Sequence, residues 1–266
     1  MSVRSLGKAD DPRSRVGEFC PLCGCGGTIV CSKDGVPLRE CRDTHDTLLT
    51  TPTTLNGVPL RECRDTHPPV LLAWAWNNDA EYESFYQKGT AYHEEEAKAI
   101  GRSPFWSRDQ EYLVANHARI DFLRGCYRWP SDASVADIGA GTGSFLAMWQ
   151  AQFPKGKSVG VEPNQIMVRQ AQALGRNVIR ATWETWEHRE QYDLIVMCDV
   201  LEHLRAPAKC LRWLIATNEA PFVYIEMPEW DSPHQREQGY DWYHIKPRQH
   251  LCLYSRGAAE QLYASV

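Results

Sequence analysis

The chain has 266 residues, of which 43% are hydrophobic and 24% charged, so it is long enough for one core with a smaller appended module. Its formal net charge is −5 with basic and acidic residues interspersed, which argues against a nucleic-acid partner. No apolar run approaches the roughly 18 residues of a membrane span, and the first residues lack the apolar stretch of a secretory signal. We therefore expect a cytoplasmic protein with no membrane partner.

Residues 1–75 are rich in Cys, Pro, Gly and Thr and predict a small Cys-rich module. Cys20 and Cys23 have the C-x-x-C spacing of a zinc knuckle, and Cys41 with His45 would complete four ligands. Cys25 or Cys31 are possible substitutes. The alternative is a knuckle that has lost its metal and keeps reduced thiols.

The segment GVPLRECRDTH occurs twice, at residues 35–45 and 57–67, an offset of 22 residues. Two copies do not make a solenoid. We predict that the module uses one copy and that the other forms a loop with TLLTTPTTLN. The second copy also supplies Cys63 and His67, which compete with Cys41 and His45 as metal ligands.

Residues 76–130 predict a helical cover, because apolar residues recur at helical spacing in AEYESFYQKGTAYHEEEAKAIG and SRDQEYLVANHARIDFLRGCYRW. Residues 131–266 instead alternate short apolar runs with amphipathic segments. That alternation predicts an α/β core with a mostly parallel sheet.

The core begins with VADIGAGTGSFLAMW at residues 135–149, a short strand, a glycine turn and a helix that starts near Ser144. Glycines at alternate positions predict a ligand-binding turn. The dinucleotide fingerprint G-x-G-x-x-G requires Gly or Ala where this chain has Ser144, which disfavours a nicotinamide oxidoreductase.

Two acidic residues indicate the ligand. Asp137 precedes the glycines, where its carboxylate would repel a pyrophosphate and attract a cation such as the sulfonium of S-adenosylmethionine. Glu162 ends the next strand, SVGVE, where it can accept hydrogen bonds from ribose hydroxyls of either cofactor class.

The motifs D-I-G-A-G-T-G, G-V-E-P and YDLIVMCDVLEHL make the chain resemble the class I S-adenosylmethionine-dependent methyltransferases over about residues 131–256. It is most similar to a subgroup with an E-H pair, here Glu202-His203, and a later H-x-x-x-[FY]-S, here His250 to Ser255. Several such enzymes carry an N-terminal CPxCG zinc module.

The resemblance implies a Rossmann-like core, with Glu162 at the ribose and residues 182–184 at the adenine edge. The cofactor-binding residues that it implies are Asp137, Gly139, Ala140, Gly141, Gly143, Glu162, Pro163, Trp183 and Asp199.

Members of this family normally continue into two further strands, whereas this sequence ends at QLYASV. We therefore expect a sheet that lacks its last two strands, with FVYIEM as an exposed edge. Such an edge is a place where a second chain can pair to form an oligomer.

Methyl transfer needs a group that takes the proton of the acceptor. The resemblance implicates His250 and His203, with His244 as a third candidate, and the alternative for each is a hydrogen-bonded packing residue. If their segment is helical, Asp199, Glu202 and His203 share one face and, with His250, would bind a divalent ion.

The predicted function is transfer of a methyl group from S-adenosylmethionine to a small polar acceptor, such as a sugar or a metabolite hydroxyl or carbon. The alternative is a non-catalytic fragment that binds a nucleoside or a protein partner.

Overall fold

The computed structural model describes residues 28–33, 36–40, 54–55, 58–59, 61–63, 70–73, 79–88, 109–187, 190–217, 220–246 and 249–266. The strands are β1 (Thr28–Lys33), β2 (Val36–Glu40), β3 (Thr54–Leu55), β4 (Val58–Pro59), β5 (Arg61–Cys63), β6 (Val70–Ala73), β7 (Val135–Ile138), β8 (Ser158–Glu162), β9 (Val178–Arg180), β10 (Leu194–Cys198), β11 (Phe222–Glu226) and β12 (Cys252–Tyr254). The helices are α1 (Asp79–Lys88), α2 (Asp109–Cys126), α3 (Ser144–Gln152), α4 (Gln165–Ala173), α5 (Pro207–Thr217), α6 (Pro233–Gln238) and α7 (Arg256–Ala264).

Residue contacts divide the chain into two compact units. The first unit comprises Met1–Ala75, Leu201–Trp213 and Met227–Val266, and the second comprises Trp76–Val200 and Leu214–Glu226. The division into a module at 1–75, a cover at 76–130 and a core at 131–266 stays a prediction.

The second unit is built on a parallel sheet with the strand order β11-β10-β7-β8-β9. Every residue of β7 is buried, as expected for a central strand that is covered on both faces. Helices α3 and α4 connect successive strands of this sheet. The structure thus confirms the predicted α/β class and its parallel core.

Aromatic packing fills the core of this unit. Trp149 is fully buried, and its Nε1–H donates to the carbonyl oxygen of Ala133 at 3.0 Å. Its ring lies against Trp129, Phe145 and Phe153. Part of the tryptophan content of the sequence therefore serves packing rather than ligand binding.

Among the strands that the structure describes, β11 lies at one end of the parallel sheet, as predicted for FVYIEM. Val223 on this strand is 44% exposed, and the nearby Phe122 on α2 is 58% exposed. The pairing of another chain with this edge stays a prediction.

The first unit contains a second, antiparallel sheet with the order β12-β6-β2-β1-β4-β3, and β5 also pairs with β6. Both copies of the repeat form strands in it. Arg39 of the first copy and Arg61 of the second occupy equivalent positions, and both pair with Leu72. The expectation that one copy forms a loop is wrong at these positions. Because the two copies have identical sequences, both form extended strands that pair with β6.

The C-terminal part of the first unit packs around β12. Leu253 on β12 joins a cluster with Leu71, Trp230, Trp242 and Ile245. Ser255 then caps α7 by accepting the N–H of Ala258 at 3.4 Å. None of the helices in the described ranges is long and apolar enough to cross a membrane.

Candidate functional site

The glycine turn after β7 has the left-handed backbone that its sequence predicts. Gly139, Gly141 and Gly143 have φ values of 78°, 54° and 72°. A Cβ on Gly139 would lie 2.5 Å from Cγ2 of Val200, whereas a Cβ on Gly141 would meet no atom within 4 Å. Packing therefore requires Gly139, while Gly141 borders open space of the kind that a ligand can fill.

Glu162 holds the glycine turn in place from the end of β8. Its Oε2 accepts the N–H of Gly141 at 2.9 Å, and its Oε1 accepts the N–H of Asn164 at 2.7 Å. Burial raises the pKa of Glu162 to about 7, although these two hydrogen bonds lower it. Each carboxylate oxygen has a second lone pair, so both can also accept a hydroxyl. The sequence predicted that Glu162 binds the ribose of the cofactor, but it did not predict that Glu162 also holds the glycine turn.

Asp137 is a nearly fully buried carboxyl on β7, beside Gly160 of β8 and Val196 of β10. Burial raises its pKa to about 8, the charge of Arg119 opposes that shift, and the charge of Glu162 adds to it. The free protein therefore keeps a largely protonated acid here at neutral pH. A cationic ligand would favour its ionised form.

The other predicted cofactor residues lie at the same carboxyl edge of the sheet or close to it. Ala140 and Pro163 are half-buried; Ala140 is the second residue after β7, and Pro163 directly follows β8. Trp183 is 6% exposed in the turn after β9. Asp199 directly follows β10 with a φ of 55°. All of them belong to the second unit.

A polar network on α2, which the sequence reasoning missed, reaches this edge. Arg119 donates through Nε to Oε2 of Glu226 at 3.0 Å and through Nη2 to Oε1 of the same carboxylate. Its Nη1–H donates to Oδ1 of Asn116 at 2.9 Å. Asn116 and Arg119 are three residues apart on α2, and this polar pair within an amphipathic helix was the available signal.

Helix α3 begins at Ser144, as the sequence predicts. Its N-cap is Gly143, and no side-chain cap bond forms. The Oγ of Ser144 instead accepts the Nδ2–H of Asn116 at 2.9 Å. The hydroxyl therefore joins α3 to α2 rather than capping its own helix.

A second group of predicted site residues lies in the first unit. Glu202 is fully buried, and His203 ends the 3₁₀ turn Leu201–His203. Their ligand atoms and those of His250 all lie within 4.8 Å of one another. The two imidazole rings are 4.7 Å apart in an edge-to-face arrangement. The structure thus brings together the two histidines that the resemblance implicates.

Backbone carbonyls fix the tautomers of these histidines. Nδ1 of His203 lies 2.8 Å from the carbonyl oxygen of Gln249, and Nδ1 of His250 lies 2.7 Å from that of His244. A carbonyl only accepts, so each Nδ1 carries the proton and each neutral ring has its lone pair on Nε2.

Burial keeps His250 neutral. Desolvation, aided by the charges of His203, Lys246 and His244, lowers the pKa of His250 well below its ordinary value. Burial likewise lowers the pKa of His244 to about 4. At neutral pH the Nε2 lone pair of His250 is therefore available to a proton or a metal ion.

The condition for a shared helical face of Asp199, Glu202 and His203 is not met. Asp199 has a left-handed backbone, and the helical turn begins only at Leu201. Its Oδ2 instead pairs with Nη2 of Arg119 at 3.5 Å. Among the described residues, the metal-competent group consists of Glu202, His203 and His250. The predicted zinc ligands Cys20, Cys23, Cys41 and His45 lie outside the described residues.

Comparisons with known proteins agree with this geometry. A family model described as a methyltransferase domain matches residues 105–265, more than half of the chain, so the chain belongs to that family. This confirms the predicted enzyme class, a class I S-adenosylmethionine-dependent methyltransferase, and decides against a nicotinamide oxidoreductase. No curated protein sequence matches the chain.

Solved structures share the fold at low identity. The plantazolicin methyltransferase BpumL, in complex with a monoazolic desmethylPZN analog and SAH, is 18% identical with a TM-score of 0.51, over 69% of this chain and 72% of that one. A possible histamine N-methyltransferase from Thermotoga maritima is 19% identical with a TM-score of 0.46, over 59% and 70%. The first of these supports a Rossmann-like methyltransferase core.

Proposed function

We propose that the chain transfers the methyl group of S-adenosylmethionine to a small polar acceptor, such as a sugar or a metabolite hydroxyl or carbon. The observation that carries the proposal is the buried carboxylate of Glu162 below a glycine turn whose Gly141 borders open space. When bound, S-adenosylmethionine supplies the methyl group and its own leaving group.

The residues at the glycine turn fit this cofactor. Glu162 has lone pairs for ribose hydroxyls in addition to the two N–H groups it already accepts. Asp137 offers a desolvated carboxyl to the cationic methionine part. We keep Trp183 as the adenine neighbour and Asp199 as a further contact of the cofactor.

A pair of matched glycine variants tests the cofactor site. Gly141 and Gly175 both have a positive φ, 54° and 73°, and a Cβ on either would meet no atom within 4 Å. Alanine at either position costs the same backbone strain, about 1–2 kcal/mol. We expect Gly141→Ala to weaken binding of S-adenosylhomocysteine at least about tenfold, because its methyl group occupies ligand space. We expect Gly175→Ala to bind like the wild type.

Isothermal titration calorimetry, with melting curves for both variants, measures this difference. Equal affinities for the two variants would remove Gly141 from the site. A wild type that binds no S-adenosylhomocysteine would favour the alternative, a non-catalytic fragment that binds another partner.

We propose that His250 and His203 take up the proton of the acceptor. Their support is the shared tautomer, with Nδ1–H bound to a carbonyl and the lone pair on Nε2. General-base catalysis of this kind contributes about 10²–10⁴-fold.

His250→Ala is expected to lower methyl transfer at least about 100-fold and to leave the affinity for S-adenosylmethionine unchanged. The rate of methyl transfer is measured as the release of S-adenosylhomocysteine in the presence of a panel of sugars and hydroxyl metabolites. The affinity for S-adenosylmethionine is measured by calorimetry. The control is His234→Ala, an exposed histidine of the same unit. Unchanged turnover in a folded His250→Ala protein would exclude a proton-transfer role.

A second role for the same group is to hold a divalent ion, and the proximity of the ligand atoms of Glu202, His203 and His250 favours it. A carboxylate and two imidazoles suit a borderline ion. Their Nδ1–H bonds to carbonyls are the outer contacts that orient metal-binding histidines.

Metal analysis after dialysis separates the two roles. Near-stoichiometric Mn, Fe, Co or Zn that His203→Ala and His250→Ala lose, and His234→Ala keeps, would assign ligand roles. Because the N-terminal Cys-rich module is also a predicted zinc site, the same analysis is made on Cys20→Ser. If none of these histidine variants changes the metal content, the histidines are not metal ligands and only the proton-transfer role remains. Zinc in the module and a cytoplasmic location stay predictions.

A further inference from the structure

Two acidic strand ends of the parallel sheet contact one cation, whose charge also acts on a third acid. Arg119 of α2 makes a two-pronged hydrogen bond with Glu226, the last residue of β11, and pairs at 3.5 Å with Asp199, which follows β10. Its charge also acts on Asp137 of β7, where it favours the ionised carboxyl. In the second unit a single guanidinium therefore pairs with the ends of β10 and β11 and acts by its charge on Asp137 of β7.

The guanidinium is held rigidly. Its side chain is 11% exposed, and Nη1 donates to the buried Asn116, which in turn donates to Ser144 at the start of α3. On the other side, the hydroxyl of Tyr224 donates to Oε2 of Glu226 at 2.7 Å. Two-pronged arginine–carboxylate pairs fix orientation as well as charge.

The same contacts fix Asp199. Its left-handed backbone, with a φ of 55°, is a conformation that needs support from its surroundings. The N–H of Asp199 donates to the carbonyl oxygen of Glu226 at 2.9 Å, and its carboxylate faces Arg119. Arg119 therefore supports the side chain of Asp199, and Glu226 supports its main chain.

We propose that Arg119 is a positioning residue of the cofactor site, which holds the acidic ends of β10 and β11 in the arrangement that receives S-adenosylmethionine. This proposal rests on the proposed cofactor binding. Arg119 acts through the carboxylates of Glu226 and Asp199, with which it pairs. Its positive charge favours the ionised form of Asp137, which attracts the cationic ligand.

Two charged groups act on the ionisation of Asp137. The charge of Arg119 on α2 lowers the pKa of Asp137, and the charge of Glu162 on β8 raises it. Of these two groups, only Arg119 is positively charged. Its removal should therefore move the ionisation of Asp137 toward higher pH.

The test is the pH dependence of S-adenosylmethionine binding, measured by calorimetry between pH 6 and 10, for the wild type and for Arg119→Met. We expect the midpoint of the binding curve to rise by about one pH unit in the variant, because the charge that opposes the raised pKa of Asp137 is removed. Affinity at pH 7 should fall about tenfold. Arg124→Met, an exposed arginine of the same helix, is the control and should behave like the wild type.

Two further variants distinguish charge from a merely structural role. Arg119→Lys keeps the charge and loses the two-pronged geometry. The midpoint of its binding curve should therefore lie at the wild-type pH, whereas its affinity at high pH should be lower than that of the wild type. In an Asp137→Asn background, Arg119→Met should not shift the midpoint of any pH dependence of binding that remains. If Arg119→Met does not fold, the Arg119→Lys curve decides: a lowered plateau with the wild-type midpoint supports the proposal.

Equal midpoints in the wild type and Arg119→Met would overturn the proposal while leaving cofactor binding intact. An Arg119→Lys curve identical to the wild type in both midpoint and plateau would remove the geometric part of the role. Absence of binding by the wild type would instead reject the proposed function itself.

Discussion

Asp137→Asn is expected to weaken binding of S-adenosylmethionine about 50-fold at pH 8.5 and to flatten its dependence on pH. The carboxyl is nearly fully buried and would face the cationic part of the cofactor. Hydrogen bonds and contacts with a charged partner contribute about 1.5–3 kcal/mol, which corresponds to about 10–150-fold in affinity. The asparagine has the same shape but no charge.

The sign of the pH effect follows from the raised pKa of Asp137, about 8 in the folded protein. A carboxyl whose pKa is raised on folding stabilises the protein in its protonated form, and this contribution is lost as pH rises through the folded pKa. The cofactor needs the ionised form. The affinity of the wild type should therefore rise about 25-fold between pH 6.5 and 8.5, since the ionised fraction grows by about that factor.

Calorimetric titrations of the wild type and Asp137→Asn across this range measure both effects. The titration of the ligand's own amino group is common to the two proteins and cancels in their ratio. Asp132→Asn, an exposed acid close in sequence, should follow the wild type. If the Asp137→Asn curve runs parallel to the wild-type curve, the pH dependence belongs to another group.

Glu162→Ala is expected to lower cofactor affinity more than about 100-fold and to destabilise the folded protein by about 2–4 kcal/mol. Two causes add. The variant loses the acceptor for ribose hydroxyls, and it leaves the N–H groups of Gly141 and Asn164 without their carboxylate. Denaturant unfolding measures the stability, and calorimetry with S-adenosylhomocysteine measures the affinity.

Glu162→Gln separates the two causes. Its amide oxygen still accepts one N–H, so about half of the stability should return, while its amide nitrogen cannot accept a ribose hydroxyl. Glu260→Ala, an exposed glutamate, is the control. If Glu162→Gln binds as tightly as the wild type, the carboxylate serves the turn alone and the ribose has another partner.

Local pattern was sufficient for most of the parallel core. The runs VADI, SVGVE and FVYIE each form a strand at the predicted place, and all belong to the parallel sheet. The glycine turn could also be predicted, because only glycine adopts its backbone without strain. Asp137 before the turn and Glu162 at the end of the next strand were further signals. These features depend on a few neighbouring residues, so the linear sequence contains them.

Local pattern failed where two distant segments meet. The helical spacing of Asp199, Glu202 and His203 would place them on one face of a helix, but the end of β10 takes a left-handed residue and the turn starts later. The repeat predicted a loop, but both copies found strand partners on β6. In each case tertiary pairing overrode the local preference.

The sequence by itself determined the parallel α/β core, the glycine turn and the pair of acids beside it, since periodicity and backbone freedom are properties of short segments. Only the tertiary structure decided that Arg119 meets Glu226 and Asp199, and that His203 and His250 share a tautomer set by carbonyls of Gln249 and His244. Those contacts join residues 107, 80, 46 and 6 positions apart. Hydrogen bonds of this kind depend on directions in space that no spacing along the chain encodes.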